Sequence, residues 1–348
     1  MNQKRRAIGA IMTRYTVGLV WVMVVLSACS SGDQVARTEC AAPVSESVGS
    51  NPLVPGIFTA GPAVLVDDCT FYITAGHDEG VTDFSLKDWY VLSSSDLVTW
   101  SYRGGPVMSV DVFSWADANA WASQMVEKDS VFYWYVPVNK IDGGMAIGVA
   151  RADSPLGPFV DAIGAPLVDD VIEMAANGYE FDYQTVYTID PTVLVEEDGR
   201  AYLTYGGFGR MVTIELGADM ISLKGELVEE TPEHFFEAPY LVKKDSNYYL
   251  VYAGQINPTT IDYATASSPF GPWTYRGRIM EPLPNLPGED YATSHPAIAE
   301  FAGQWYLVYH RSDGEGGGTY RRQVAMDKLF FNEDGTIQPV VPSSGIRF

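Results

Sequence analysis

One stretch in the middle of the chain alternates apolar runs and polar turns in a form that predicts a β-hairpin. The first run, residues 193–195, leads to Asp198-Gly199, a dipeptide that accepts positive φ, and a second run follows at residues 201–205. β-Branched and aromatic residues on both sides of such a dipeptide are typical of paired strands. Pro191 precedes the first run and cannot donate a hydrogen bond to a sheet, so it marks where the strand begins. Asp190 is therefore expected at the start of a strand, outside the ladder.

The same pattern occurs five times along the chain. Its apolar first runs begin at residues 62, 123, 191, 239 and 296, and aromatic or β-branched second runs follow near residues 71, 132, 201, 248 and 305. Units of this length with several short strands are typical of propeller blades. We therefore predict an all-β fold, a five-bladed β-propeller in a single domain. The alternative is a β-sandwich in which the repeated hairpins are coincidental.

The N-terminal residues carry an export pattern. Lys4, Arg5 and Arg6 form a positive start, and residues 16–26 form an apolar stretch that is short for a membrane span. The following Leu26-Ser27-Ala28-Cys29 resembles a bacterial lipoprotein signal. The protein is therefore predicted to be exported and lipid-anchored to a bacterial membrane, in the periplasm or at the cell surface. Plain secretion is the alternative.

Three segments follow from these patterns. We predict a signal peptide at residues 1–28, a flexible tether at residues 29–50 and the propeller at residues 51–348. Lipid would be carried by Cys29, which leaves Cys40 and Cys69 free to pair in an oxidising compartment. Sequence alone leaves open whether these two cysteines are close enough to do so.

The composition excludes some functions and favours others. The net charge is −22, which argues against nucleic acid as a partner because phosphate binding needs a basic patch. The number and spacing of the cysteines do not resemble a zinc site. Aromatic residues make up 13% of the chain, a share that suits surfaces for stacking sugars. The oligomeric state cannot be predicted from these data.

The five repeats also predict a site. In a propeller the first strand of each blade lines the central channel, so residues just before those strands converge at one mouth of the channel. The residues directly before the five first runs are Gly61, Ala122, Asp190, Ala238 and His295, and those one position earlier are Ala60, Trp121, Ile189, Glu237 and Ser294. Alone, an aspartate before proline often caps a turn and a tryptophan is often part of a core. Together they indicate a functional cleft.

Two carboxylates beside an aromatic ring suit the cleavage of a glycosidic bond. One carboxyl group must be protonated to donate its proton to the leaving oxygen, and another must be charged to activate water or attack the sugar. Glu237 and Asp190 are the candidate carboxyl groups. Trp121 is the candidate surface for stacking the apolar face of a sugar.

These residues carry a family resemblance. Over residues 51–337 the chain resembles glycoside hydrolase family 43, whose members are five-bladed propellers acting on polysaccharides that contain arabinose and xylose. The motifs that carry the resemblance are Ser95-Asp96-Leu97-Val98-Thr99-Trp100, Trp121-Ala122, Ile189-Asp190-Pro191, Glu237-Ala238-Pro239-Tyr240, Thr293-Ser294-His295-Pro296, Tyr320-Arg321-Arg322-Gln323-Val324 and Asn332-Glu333-Asp334-Gly335-Thr336-Ile337.

The resemblance implies a role for each candidate. Glu237 is the general acid, and Asp190 raises the pKa of that acid and orients it. Trp121, Arg322 and His77 bind substrate, with Arg322 reaching a sugar hydroxyl or Asp190; the alternative for Arg322 is a solvated charge at a strand end. His295 faces a water-bound cation in the channel, often calcium in the family. No cofactor is required, and the partners are saccharides of the arabinoxylan or arabinan type.

One position departs from the family pattern. The resemblance implies a general-base aspartate where this chain has Gly61, and glycine offers no proton acceptor on a side chain. Asp78 and Glu79 are the nearest carboxylates in sequence, but they follow the second run and are expected at the opposite end of the strand or in the next turn. A side chain restored at residue 61 is expected to find room, and Gly61→Asp to raise activity strongly.

Two functions therefore compete. The first is an inverting α-L-arabinofuranosidase or β-xylosidase, favoured by Asp190, Glu237, Trp121 and Arg322. The second is a lipoprotein that binds carbohydrate without cleaving it, favoured by Gly61. A protein-binding propeller is a third alternative, but it gives Glu237 no use.

Overall fold

A computed structural model of the chain describes residues 40–80, 82–169, 187–255, 259–283 and 294–348. The predicted signal peptide, Cys29, the first part of the predicted tether and Thr293 lie outside these residues. Within them the only helical element is a 3-10 turn at Val110–Val112, and no helix is long and apolar enough to cross a membrane. The described chain is otherwise built from strands and their connections.

The strands form five separate antiparallel sheets, which are the blades of the propeller. Blade 1 contains β1 (Thr59–Asp67), β2 (Thr70–His77), β3 (Asp88–Ser94) and β4 (Met108–Ser109). Blade 2 contains β5 (Ala116–Ala118), β6 (Gln124–Lys128), β7 (Val131–Lys140), β8 (Met145–Ala152), β9 (Val160–Asp161) and β10 (Val168–Asp169). Blade 3 contains β11 (Thr192–Val195), β12 (Ala201–Gly207), β13 (Arg210–Leu216) and β14 (Leu223–Glu229). Blade 4 contains β15 (Phe235–Lys244), β16 (Asn247–Gly254), β17 (Thr260–Ala266) and β18 (Thr274–Met280). Blade 5 contains β19 (Pro296–Phe301), β20 (Gln304–Arg311) and β21 (Gln323–Leu329).

The first strands of the five predicted hairpins form the inner ring. Strand β1 packs beside β6, β6 beside β11, β11 beside β15, β15 beside β19, and β19 beside β1. This closed cycle confirms the prediction of a five-bladed propeller, and it brings the residues before those strands to one end of the ring.

The core lies between blades, because each blade is covered on both faces by its neighbours. Strand β12 is buried along its whole length, whereas the outer strand β14 is exposed along its whole length. Apolar clusters join neighbouring blades, as where Trp89 of blade 1 packs with Trp134 of blade 2. A strand covered on both faces needs no polar alternation, which explains the continuous apolar runs in the sequence.

The two ends of the described chain close the ring. The amide of Leu53 donates to the carbonyl of Val324 in β21, and the side chain of Asn51 donates to the carbonyl of Met326. Just upstream, the amide of Gly49 donates to the carbonyl of Ile346. The last residues of the predicted tether are therefore paired with the C-terminal segment and belong to the folded unit.

Cys40 and Cys69 form a disulfide, with their Cα atoms 5.1 Å apart. Cys69 lies in the tight turn between β1 and β2, so the bond joins the segment before the propeller to the outer end of the first hairpin. The pairing that sequence left open is thus present in the structure.

Candidate active site

The chain leaves the regular ladder at the start of three inner strands. Gly61, Asp190 and Ala238, each directly before a proline, have φ values of 60°, 53° and 55°. The register of β1 with β2 shifts after Ala60, and that of β15 with β16 shifts on both sides of Glu237. An irregularity of this kind re-aims a side chain at the rim of a sheet. The two register shifts around Glu237 therefore explain why its side chain points away from the regular strand pairing and into the mouth of the channel.

Glu237, His295 and Asp190 meet, although they come from three different blades. The Nε2 atom of His295 lies 2.9 Å from Oε1 of Glu237, and the Oδ2 atom of Asp190 accepts a 3.0 Å hydrogen bond from the amide of Ala238. One carboxylate oxygen from each acid and one ring nitrogen of His295 all lie within 4.8 Å of one another. The structure therefore brings together the two carboxyl groups and the histidine that the sequence placed at one mouth.

Burial and neighbouring charges shift the pKa values of two members of this cluster. Burial raises the pKa of Asp190 to about 7; the charge of His295 opposes the rise and that of Glu237 adds to it. Burial acts to lower the pKa of His295, but the charge of Asp190 and the hydrogen bond to Glu237 outweigh it, so that pKa is raised. Both shifts follow from packing ionisable side chains into one buried cluster.

A cavity of about 380 Å³ opens above the cluster. Its polar lining residues are Glu237, His295 and Arg322, and its aromatic lining residues are Phe84, Trp121, Tyr187, Phe208 and Phe236. The indole Nε1 of Trp121 donates a 2.9 Å hydrogen bond to the carbonyl of Phe84, which fixes the plane of the ring. Apolar rings around a few convergent polar groups are typical of a site for a small molecule with one apolar face.

Arg322 is buried and paired, but with Asp78 and not with Asp190. Its Nε and Nη2 atoms donate to the two carboxylate oxygens of Asp78 at 3.0 and 2.8 Å, and its backbone amide donates to Oδ2 at 2.8 Å. Its guanidinium also lies 4.9 Å from the centre of the Phe84 ring. Arg322 is therefore a fixed wall of the cavity and not a solvated charge at a strand end.

Asp78 lies in the connection that follows β2, which was one of the two expected locations, and not at the opposite end of the strand. In the hairpin of β1 and β2, Thr59 pairs with His77, so the end of the second strand lies beside the start of the first. Asp78 consequently lies at the cavity end of blade 1. Its carboxylate is engaged by Arg322 and does not line the cavity. Within the described part of the chain, Glu237 is the carboxylate that lines it.

We expect Asp78→Asn to lower the free energy of unfolding by about 3–5 kcal/mol, because it leaves a buried guanidinium without its counter-charge. The side chains of Asp78 and Arg322 are 1% and 9% exposed. Urea unfolding measures the change. The matched control is Glu229→Gln, which breaks the ion pair of Glu229 with Arg210, whose side chains are 45% and 26% exposed, respectively. This change should lower the free energy of unfolding by about 1 kcal/mol or less. Equal losses in the two variants would contradict the assignment.

Gly61 lines the cavity, but a side chain there would meet its neighbour. A Cβ atom built on Gly61 lies 2.5 Å from Cβ of Ala122 and 2.8 Å from its Cα. The expectation that a restored side chain finds room was therefore wrong: the inner strands of blades 1 and 2 approach too closely. Asp190 has nearly the same φ as Gly61, so crowding by Ala122, more than backbone conformation, is the obstacle. The amide of Gly61 donates to Nδ1 of His310 at 3.0 Å, which anchors this approach.

His77 does not line the cavity. Its Nδ1 atom lies 3.2 Å from Oδ1 of Asp88, and its ring stacks on Tyr90 with centroids 4.5 Å apart. The hydrogen bond to Asp88 raises the pKa of His77. These contacts hold His77 against β3, so the structure lends no support to its predicted part in binding substrate.

Sequence reasoning missed four aromatic residues of the cavity: Phe84, Tyr187, Phe208 and Phe236. Phe236 directly precedes Glu237 and Tyr187 lies three residues before Asp190, so extending the comparison of repeats by a few positions would have found both. Phe84 and Phe208 lie in connections between strands, where no repeated pattern marks them.

The fold and the cavity define a five-bladed propeller with two carboxyl groups and a histidine clustered at one mouth of its channel. The profile of glycosyl hydrolases family 43 matches residues 50–337. An arabinoxylan arabinofuranohydrolase of Bacillus subtilis is 30% identical over 372 residues, covering 92% of this chain and 70% of that protein. A β-D-galactofuranosidase of Aspergillus niger is 30% identical over 316 residues, covering 85% of this chain and 86% of that protein.

A solved structure supports the same assignment. A β-xylosidase/α-arabinofuranosidase from a compost microbial metagenome, in complex with xylotriose, aligns with a TM-score of 0.72 and 28% identity, covering 85% of this chain and 98% of that one. The chain belongs to glycosyl hydrolases family 43 and is a glycosidase. The alternative of a lipoprotein that only binds carbohydrate is not favoured, because the relatives named above are glycosidases.

Proposed function

We propose that the protein removes arabinofuranosyl or xylosyl units from saccharides of the arabinoxylan or arabinan type with inversion of configuration. The observation that carries the proposal is the cluster of Glu237, Asp190 and His295 at the base of an aromatic cavity. Trp121 offers a flat surface for the apolar face of a pentose. One relative is an arabinoxylan arabinofuranohydrolase, and another was solved in complex with xylotriose.

In this proposal Glu237 is the general acid that protonates the leaving oxygen. Asp190 does not line the cavity but accepts a hydrogen bond from the amide of Ala238, the residue after Glu237, and so positions the acid. Arg322 borders the cavity and is held there by Asp78, so it can donate to a sugar hydroxyl from a fixed position.

The rate of hydrolysis is proposed to be limited by activation of water. Gly61 stands where the family resemblance implies a general base, and it carries no proton acceptor. General base catalysis typically contributes about 10²–10⁴-fold. We therefore propose that the enzyme is slow in comparison with relatives that carry a carboxylate at this position.

Initial rates on three 4-nitrophenyl glycosides test the substrate class: the α-L-arabinofuranoside, the β-D-xylopyranoside and the β-D-galactofuranoside. Release of 4-nitrophenol from at least one of the two pentosides, faster than from the galactofuranoside, is expected. The galactofuranoside is included because one relative is a galactofuranosidase. Faster cleavage of the galactofuranoside than of both pentosides would overturn the proposed substrate class.

A cation in the channel is proposed to contact His295 through water. The Nδ1 atom of His295 is buried and has no hydrogen-bond partner among the described atoms, whereas Nε2 is bonded to Glu237. Calcium prefers oxygen ligands, so a water carried by the ion suits this nitrogen better than the ion itself. When bound, the ion would add positive charge beside the cluster. The relative with xylotriose bound is described as a calcium-free form, which gives no sign that the ion is required.

Export and lipid attachment at Cys29 are also proposed. The basic start and the short apolar stretch support a signal peptide, and the sequence before Cys29 supports acylation. The disulfide between Cys40 and Cys69 supports the same proposal, because such bonds persist in oxidising compartments.

A further inference from the structure

The turn between β12 and β13 places a bulky ring where turns rarely hold one. Gly207 pairs with Arg210, so Phe208 and Gly209 form a two-residue loop, and their φ values are 53° and 86°. Positive φ at both loop residues is the requirement of a type I′ turn, in which asparagine, aspartate and glycine are preferred. Within the described residues Phe208 is the only phenylalanine, tyrosine or tryptophan with positive φ.

Among the described residues, the other two-residue hairpin loops have a smaller side chain at their first position. Their first loop residue is Asp68 between β1 and β2, Asp129 between β6 and β7, Asp245 between β15 and β16, and Ala302 between β19 and β20, each with φ between 40° and 55°. Phe208 thus has a backbone conformation that is unfavourable for a bulky side chain. A residue held in an unfavourable conformation at the edge of a cavity points to a functional role.

The ring of Phe208 is clamped between two others. Its centroid lies 4.8 Å from that of Tyr187 and 5.6 Å from that of Phe236, both in edge-to-face arrangements. The amide of Gly209 donates a 2.9 Å hydrogen bond to the carbonyl of Phe236, which ties the turn to the strand that carries Glu237. All three rings line the cavity, and we call them the aromatic wall.

The aromatic wall lies on the side of Glu237. Phe236 directly precedes Glu237 in sequence. Gly207, the residue before Phe208, lies close to Glu237: a Cβ atom built on Gly207 would be 3.8 Å from Cβ of Glu237. Gly61 and Ala122, which contact each other, also line the cavity. A general acid must lie beside the leaving oxygen, so the surface next to it is the one that the leaving group contacts.

We propose that Phe208 determines specificity by forming the central ring of a binding surface for the leaving-group sugar. This inference rests on the proposed function, because it assumes that Glu237 protonates the leaving oxygen. The ring supplies a flat apolar face for a pyranose or furanose unit linked to the pentose that is released. The tied turn keeps that face in place before substrate binds, which reduces the ordering cost of binding.

Isothermal titration of xylose and xylobiose into variants that all carry Glu237→Gln, so that cleavage is slow, tests the proposal. Phe208→Asn is expected to weaken the binding of xylobiose about tenfold and that of xylose by less than about twofold. Asparagine suits the turn, so the fold should persist. The matched control is Ala302→Asn, which introduces asparagine at the same position of another two-residue turn, away from the cavity. It should change neither affinity.

Three outcomes would overturn the proposal: unchanged affinity for xylobiose in Phe208→Asn, an equal loss for xylose and xylobiose, or an equal loss in Ala302→Asn. If Phe208→Asn does not fold, Phe208→Leu carries the same comparison, because leucine keeps the apolar volume but not the flat face. Failure of the parent protein to bind either sugar would instead contradict the proposed cleavage of xylosyl units. The two failures are thereby distinguished.

Discussion

Glutamine in place of Glu237 is expected to lower kcat/KM for xylobiose by about 10²–10⁴-fold, the range in which general acid–base catalysis contributes. Glutamine has the shape of glutamic acid and can still accept a hydrogen bond from His295, but it has no proton to donate. The loss should be smaller for 4-nitrophenyl xyloside, because 4-nitrophenolate leaves readily without protonation. This difference between the two substrates is the signature of a lost general acid.

Glu229→Gln provides the control, since it makes the same chemical change on an outer strand and should leave both rates unchanged. Circular dichroism confirms that each variant is folded. An equal loss on xylobiose and on the 4-nitrophenyl substrate would indicate that Glu237 acts in binding and not as the acid. A folded variant with full activity on both would remove Glu237 from the mechanism.

Combining Gly61→Asp with Ala122→Gly is expected to raise kcat/KM by about 10²-fold, the lower end of the contribution of a general base. The aspartate supplies the missing carboxylate, and the second change removes the methyl group that lies 2.5 Å from the new Cβ. The Cα of residue 122, 2.8 Å from the new Cβ, remains, so the two strands must still separate slightly. Gly61→Asp alone should gain less and lose about 1–3 kcal/mol of stability, because overpacking distorts the contact between blades 1 and 2. Rates on the 4-nitrophenyl pentosides and urea unfolding measure the two effects.

Ala122→Gly alone is the matched control and should not gain activity. A second measurement avoids the crowding altogether: azide or formate, added to the unmodified protein, can occupy the cavity beside Gly61 and stimulate cleavage. That stimulation should vanish in Glu237→Gln, because the acid is still required. A folded double variant without any gain, together with no stimulation by either anion, would show that residue 61 is not the position of the base.

The repeated hairpins made much of the fold predictable. Pro191, the apolar run after it and the Asp198-Gly199 turn are contiguous, and β11 and β12 formed where this pattern placed them. The meeting of Glu237, Asp190 and His295 was predictable for a related reason. Once the hairpins are recognised as repeats, residues at one position of the repeat must converge in a closed ring.

The surroundings of those residues were less predictable. The pairing of Arg322 with Asp78 joins residues 244 positions apart, and no local pattern marks it. The hairpin pattern did imply that Asp78 lies near the start of β1, because in an antiparallel hairpin the end of the second strand lies beside the start of the first. The aromatic wall depended on Phe208, whose turn alone would have favoured a small or polar residue.

The sequence by itself determined the all-β class, the five blades and the identity of the residues at the mouth of the channel, because hairpin patterns are local and a repeat imposes its own symmetry. Only the tertiary structure decided that Ala122 crowds Gly61, that Asp78 holds Arg322, that Cys40 bonds to Cys69 and that three rings stand beside Glu237. Each of these depends on how closely separate segments pack, to within about an ångström, and that separation is set by all the side chains between them.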